Sequence, residues 1–316
     1  MMPSNRGRVT LTETLIMALA TFKSIPLQRA QVSLAAVLRC GQSFRWSVLT
    51  ANDNPDSVEY RLCLNDRVIC LRQSSDTLYY RAVFPDPQPS PAHLCDREDE
   101  TLGWLKDYFQ LQVDLVTLYQ EWAARDKVFA SIQRRFEGIR ILRQDPWENL
   151  VSYALSLPTE HRSLTRLLNR FICSSNNNIS RITKMVQNLC THYSPPLLTL
   201  PHPFNPTEIL TYHAFPPPSV LAVSSVAQRL RSLGFGYRAN FIQRTAQMLV
   251  EAHGTQLVSG SFESSELWLK NLRHCSTLDA RQELLRFVGV GRKVADCVLL
   301  MSLDKVCPFF LTTAPQ

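Results

Sequence analysis

Apolar and polar residues alternate along the first third of the chain, as they do in strands that bury one face. Asn65-Asp66 offers a hairpin turn between two of these runs. The pattern therefore predicts an antiparallel sheet built from hairpins. Four runs carry it: Phe44–Val48, Tyr60–Leu64, Val68–Leu71 and Leu78–Phe84.

The spacing of apolar residues changes after a loop at 85–91, which has four prolines in seven residues. Leu102, Leu105, Tyr108 and Phe109 keep helical spacing, and most of the chain to residue 305 continues in this way. The predicted fold class is therefore α+β. We expect an N-terminal extension at 1–26, an antiparallel β-rich domain at 27–115 and a helical bundle at 116–305.

The composition favours a polyanionic partner, because the net charge is +7 and the pI is about 9.0. None of the nine cysteines forms a C-x-x-C pair, which predicts reduced thiols. The sequence shows no metal-ligand cluster and implies no cofactor. No run of 18 apolar residues predicts a membrane span. The segment Val9–Phe22, flanked by basic residues, is an ordinary N-terminal segment or, alternatively, a mitochondrial presequence.

A helix-hairpin-helix motif is predicted near residue 290. Asp279–Phe287 has helical apolar spacing, with Thr277 as a cap near its start. Gly289 and Gly291 then permit a tight turn, and a second helix follows. The amides at the start of that helix could bind a phosphate, and the glycines would let a DNA strand approach closely. Ordinary helix turns use the same glycine spacing.

Lys293 lies in the first turn of this second helix. The positive end of the helix disfavours an ammonium there, and burial would disfavour it further. A neutral amine can attack an anomeric carbon and form a Schiff base. Cys297, one turn later, would lie on the same face. The alternative is that Lys293 only contacts a phosphate.

The segment Val288–Cys297 closely resembles the hairpin of eukaryotic 8-oxoguanine DNA glycosylases. The resemblance implies that Lys293 is the nucleophile, which displaces the oxidised base and then supports strand cleavage at the abasic site. Leu38–Trp46 resembles the N-terminal signature of the same family, which implies that the Gly41 carbonyl reads the N7 hydrogen of 8-oxoguanine. Cys297 is then expected to contact the substrate.

Two further segments, Phe171–Ile182 and Leu233–Ala239, resemble this family in the same order. The first implies that Asn176 fills the space left by the flipped base and that Arg181 contacts the orphaned cytosine. Alternatively, the asparagine run is a polar turn that caps a helix. The second segment implies that Tyr237 stacks beside the lesion and that Arg238 reaches the opposite base. Gly289 and Gly291 complete the predicted DNA-binding residues.

The chain departs from this family in two places. Residues 153–170 have no counterpart and are expected to interrupt a core helix. After Lys305 the family continues into a Val-Asp-Val-His segment, whereas the tail at 306–316 is different. The family's catalytic aspartate therefore has no counterpart here. One hypothesis is that both segments are introns read as coding sequence, and the other is a genuine truncated variant.

The expected function is that of a bifunctional DNA glycosylase and abasic-site lyase of base excision repair. The enzyme would excise 8-oxoguanine from duplex DNA through a lysine Schiff base. The alternative is a catalytically inactive truncated variant that only binds damaged or kinked DNA. The expected partner is double-stranded DNA that carries an oxidised purine, with no membrane contact, and the protein is expected to be a monomer. The expected location is the nucleus, with the mitochondrion as an alternative.

Overall fold

A computed structural model of the chain describes residues 22–51, 54, 57–87, 90–155, 179–258 and 262–306. Its strands are β1 (Lys23–Pro26), β2 (Ser47–Thr50), β3 (Val58–Cys63), β4 (Val68–Gln73), β5 (Thr77–Val83), β6 (Pro196–His202), β7 (Asn205–His213), β8 (Leu257–Val258) and β9 (Phe262–Glu263). Its helices are α1 (Leu34–Val37), α2 (Pro91–Tyr108), α3 (Leu115–Arg125), α4 (Lys127–Ile132), α5 (Pro146–Leu155), α6 (Ile179–Tyr193), α7 (Pro218–Leu221), α8 (Val226–Ser232), α9 (Arg238–His253), α10 (Ser264–Asn271), α11 (Thr277–Leu285) and α12 (Arg292–Ser302). Short 3₁₀ turns follow α4 at Gln133–Phe136 and α10 at Leu272–His274.

The N-terminal strands form one antiparallel sheet in the order β1-β5-β4-β3-β2. The turn at Asn65-Asp66 closes where expected, because the Leu64 amide donates to the Arg67 carbonyl at 2.8 Å. One face of the sheet packs against α2, and Leu105 and Tyr108 of this helix and its C-cap Phe109 are buried there. This sheet and the helices that follow confirm the α+β fold class.

Two parts of the sheet differ from the prediction. The first predicted strand begins three residues later, at Ser47, and Phe44 and Trp46 are buried ahead of it. Apolar and polar residues alternate here because Phe44 is buried in the core of the helices and Trp46 in the core of the sheet, and not because the segment pairs as a strand. The sheet also includes β1, which pairs with β5 and lies inside the segment 1–26 that was predicted as an extension.

A second hairpin, β6–β7, lies within the region that was predicted as mostly helical. Its Leu200 and Tyr212 pack against Val68 and Cys70 and cover the second face of the sheet. Arg61 is buried beneath it and donates to the Pro201 carbonyl at 2.8 Å. The prediction was wrong because the prolines were interpreted only as helix breakers, whereas an apolar sheet face needs a cover.

The helical part of the chain has its own core, formed mainly by α5, α6, α9 and α12. The α5 helix packs along α12, and Asn149 donates to the Ser302 hydroxyl at 2.5 Å between them. Arg45 ties this core to the sheet through a buried ion pair with Glu148, at 3.0 Å. Within the described ranges, every helix is too short or too polar to cross a bilayer.

Glu266 should make stability depend on pH. Burial raises the pKa of its carboxyl from 4.5 to about 7, and the charge of Asp145 adds to this effect. A carboxyl that holds its proton more tightly in the folded state stabilises fully below pH 4.5, and this contribution is lost as pH rises through 7. Glu266→Gln should therefore match the wild type near pH 5 and exceed its free energy of unfolding at pH 8, by about 2 kcal/mol. Urea unfolding at both pH values measures this, and a pH-independent difference would contradict it.

Candidate active site

The predicted helix-hairpin-helix motif is present. Helix α11 ends at Leu285, and Gly289 turns the chain with φ +81°. Gly291 is the N-cap of α12 with φ −85° and ψ 174°, a conformation that other residues also adopt. Only Gly289 therefore needs to be glycine for backbone reasons. The N-cap of α11 is Ser276 rather than Thr277, because the Ser276 hydroxyl accepts the Asp279 amide at 3.1 Å.

The hairpin turn is held firmly against α9. A Cβ atom on Gly289 would lie 2.4 Å from Cγ of Phe241, so the ring packs directly against this glycine. The Thr245 hydroxyl donates to the Val288 carbonyl at 3.1 Å. These contacts fix the free amides at the start of α12, which is the geometry that a phosphate oxygen requires.

Lys293 and Cys297 lie one turn apart on α12, as predicted. Burial raises the pKa of the Cys297 thiol, and the positive charge of Lys293 opposes that shift, so the two groups are electrostatic neighbours. Lys293 is exposed at the start of the helix, so burial does not act on its amine in the free protein.

The loop that carries Gly41 is fixed by its neighbour Gln42, a residue that sequence reasoning left without a role. Gln42 is buried; its amide donates to the Arg140 carbonyl, and its oxygen accepts the Leu142 amide, both at 3.0 Å. Gly41 itself has φ +86°, and a Cβ there would lie 3.1 Å from Ile179. The available signal for such a role was the side-chain amide of Gln42 next to Gly41, because a buried amide needs hydrogen-bond partners.

Tyr153, the first residue of the segment that was predicted to have no family counterpart, also reaches this loop. It continues α5, together with Ala154 and Leu155, and all three are buried. The expected interruption of the core helix therefore does not occur at these residues, while 156–170 lie outside the described residues. The Tyr153 hydroxyl lies 3.5 Å from the Gly41 carbonyl oxygen.

Three of the predicted DNA-contacting side chains, Arg181, Tyr237 and Arg238, lie at the starts of two helices, α6 and α9. Arg181 is exposed on the first turn of α6, and Tyr237 is 37% exposed beside Phe241. Arg238 is buried, with its guanidinium 4.9 Å from the centre of the Tyr237 ring. Burial lowers the pKa of Arg238, and the charge of Arg181 adds to the lowering, so these two cations lie near each other.

Asn176 lies outside the described residues. The predicted tail at 306–316 also does so, apart from Val306. In the parts of the chain that the structure describes, no group of His, Cys, Asp and Glu side chains is arranged to hold a metal ion. The predicted chemical groups that the structure describes are the exposed amine of Lys293, the half-buried thiol of Cys297 and the backbone carbonyl of Gly41.

Comparisons with known proteins show which family the chain belongs to. Residues 24–150 match the family model described as the N-terminal domain of 8-oxoguanine DNA glycosylase. The N-glycosylase/DNA lyase of Saccharomyces cerevisiae is 34% identical over 293 residues, which are 91% of this chain and 68% of the yeast protein. The chain belongs to the 8-oxoguanine DNA glycosylase family.

Other members of this glycosylase family are consistent with that assignment. The N-glycosylase/DNA lyase OGG1 of Arabidopsis thaliana is 30% identical over 284 residues, or 89% of this chain and 63% of the relative. The structure of MBOgg1 with a low-affinity DNA ligand is 25% identical, with a TM-score of 0.61, and covers 90% of this chain and 80% of that one. The chain thus spans about two thirds of the length of these two curated glycosylases.

Proposed function

We propose that this chain excises 8-oxoguanine from duplex DNA and cleaves the strand at the resulting abasic site, with Lys293 as the nucleophile. One observation carries the proposal: Lys293 and Cys297 share one face of the helix that follows the glycine hairpin. The resemblance of this hairpin to the glycosylase family gives that lysine its role. The relatives named N-glycosylase/DNA lyase support the same reaction class.

Duplex binding would begin at the hairpin. The amides at the start of α12 bind a phosphate, and the partial positive charge of the helix end adds attraction. Tyr237 lies on the neighbouring start of α9, where its exposed ring can enter the base stack. Arg181 and Arg238 would then contact the cytosine left without a partner. A base extruded in this way can be examined outside the stack.

The Gly41 carbonyl would identify the lesion. Guanine presents a lone pair at N7, whereas 8-oxoguanine presents a hydrogen there, so a carbonyl oxygen attracts only the oxidised base. The hydrogen bonds of Gln42 hold the loop in place for this test. Guanine would place its N7 lone pair against the Gly41 carbonyl oxygen. Two acceptors would then face each other without a donor between them, which is unfavourable.

Lys293 would perform the covalent step in its neutral form. The amine attacks the anomeric carbon, the bond from that carbon to the base breaks, and the base leaves with the electron pair and takes up a proton. Loss of water from around the amine on DNA binding favours the neutral form. The sugar ring then opens: the bond from the anomeric carbon to the ring oxygen breaks, the ring oxygen takes up the proton that the nitrogen has lost, and a Schiff base forms. A proton then leaves the neighbouring sugar carbon and the 3′ phosphate is eliminated, which cleaves the strand.

Strand cleavage on a defined duplex tests the proposal. The purified chain is incubated with an end-labelled duplex that contains 8-oxoguanine opposite cytosine, and with the same duplex containing guanine. Cleavage at the lesion alone is the expected result. Tight binding to the lesion duplex without base release or cleavage would instead support the protein that only binds damaged DNA.

Gly41→Ala should weaken lesion recognition. The φ of +86° disfavours a side chain, and the new Cβ would push against Ile179, so the loop and its carbonyl must move. We expect the preference for the 8-oxoguanine duplex over the guanine duplex to fall about tenfold, the value of one polar contact. Competition binding measures the ratio. Gly103→Ala, with no atom near its added Cβ, is the control and should keep the preference.

A further inference from the structure

Tyr153 lies in the place where the lesion should be read. Its hydroxyl is 3.5 Å from the Gly41 carbonyl oxygen and 2.6 Å from the Met301 sulfur. Its ring packs edge-on against Phe44, with centroids 6.3 Å apart. Burial raises the pKa of the Tyr153 hydroxyl, and the charge of a Cys297 thiolate would add to this shift, so the thiol lies near the hydroxyl.

The Tyr153 hydroxyl has one proton, and two acceptors among the described residues lie beside it, the Gly41 carbonyl oxygen and the Met301 sulfur. A carbonyl oxygen is a stronger acceptor than a thioether sulfur. Since Tyr153 is only 8% exposed, water is largely excluded as an alternative partner. We therefore expect the Tyr153 hydroxyl to donate to the Gly41 carbonyl oxygen. This oxygen then already accepts a hydrogen bond before any base enters the site.

We propose that Tyr153 guards the lesion-reading carbonyl: in the free protein its hydroxyl donates to Gly41, and the N7 hydrogen of 8-oxoguanine displaces it. This inference rests on the proposed function, because it deepens the role of Gly41. Tyr153 acts here through Gly41 and is a positioning residue. The surrounding ring contacts with Phe44 would be the same for phenylalanine, so the hydroxyl is the group that the inference concerns.

Displacement makes the recognition step an exchange of hydrogen bonds. An 8-oxoguanine that enters gives the Gly41 oxygen a new donor, so the carbonyl gains one bond and loses one. An entering guanine removes the tyrosine bond and supplies none, which leaves the carbonyl without a donor at a buried site. With Tyr153 in place, either base breaks one hydrogen bond to the Gly41 oxygen when it enters, and only 8-oxoguanine replaces that bond.

The test compares Tyr153→Phe with the wild-type chain on three duplexes. One has 8-oxoguanine opposite cytosine, with a 2′-fluorine on the lesion sugar to slow base release. The second has guanine opposite cytosine, and the third has a tetrahydrofuran abasic analogue, which has no base to enter the site. Tyr193→Phe is the matched control, because its hydroxyl donates to the Val226 carbonyl at 3.3 Å, away from Gly41.

We expect Tyr153→Phe to bind the 8-oxoguanine duplex about threefold to tenfold more tightly than the wild type does, since one neutral hydrogen bond no longer has to be broken. Affinity for the abasic duplex, which brings no base to Gly41, should stay the same, and Tyr193→Phe should change none of the three. An equal change on the abasic duplex, or no change on the lesion duplex, would overturn the inference. A wild-type chain that does not prefer the lesion duplex over the guanine duplex would instead overturn the proposed function, and the guard with it.

Discussion

Lys293→Ala should reduce cleavage of an 8-oxoguanine duplex by at least about 1,000-fold, the scale on which enzymes lose activity with their nucleophile. The alanine removes the only atom at this position that can bond to the sugar. The neighbouring Arg292 cannot take its place, because a guanidinium stays protonated. Single-turnover cleavage assays measure the loss. Affinity for the duplex should fall only a few-fold, since the hairpin amides remain.

Lys293→Arg separates the nucleophile from a mere phosphate contact. Arginine keeps the positive charge and the ability to bind phosphate, but it has no amine that can become neutral. The account predicts that this variant binds the lesion duplex and is as inactive as the alanine variant. Retained cleavage in Lys293→Arg would show that the lysine only holds the backbone.

Gly289→Ala should lower the stability of the protein by disturbing the turn of the hairpin. Its φ of +81° is a conformation that costs an L-residue about 1–2 kcal/mol. The added Cβ would also lie 2.4 Å from the Phe241 ring, and forcing such a contact typically costs about 1–3 kcal/mol more. We therefore expect the free energy of unfolding to fall by about 2–5 kcal/mol, as measured by urea denaturation, and affinity for DNA to fall with it.

Gly291→Ala is the control for that variant. Its φ is −85°, and no atom lies within 4 Å of an added Cβ. The loss of stability should stay within about 1 kcal/mol, as for a glycine-to-alanine change at an N-cap. Equal destabilisation by the two substitutions would mean that Phe241 and the backbone at Gly289 do not hold the turn.

Local pattern predicted the parts of the fold in which neighbours along the chain decide the structure. The strands β3 to β5, the turn at Asn65-Asp66 and the two helices of the hairpin follow from alternation, turn chemistry and helical spacing. The hairpin β6–β7 could not be predicted in this way. Its prolines are locally typical of loops, and the reason for pairing is a distant apolar sheet face at Val68 and Cys70.

The sequence named candidate residues for the site but did not show their environment. Resemblance located Lys293, Cys297 and Gly41, and the structure places the first two as neighbours on one helix. The exposure of Lys293 depends on which way α12 faces, which spacing alone does not show. The contacts of Gln42 and Tyr153 join segments 98 to 112 residues apart, so only the folded chain brings them together.

The most direct test of the central claim is to trap the covalent intermediate. The chain is mixed with an 8-oxoguanine duplex in the presence of borohydride, which reduces a Schiff base to a stable amine link, and the adduct is digested and sequenced by mass spectrometry. The account predicts an adduct on the lesion duplex alone, with the sugar attached to Lys293. Tight, lesion-specific binding with no adduct, or an adduct on a different lysine, would contradict it.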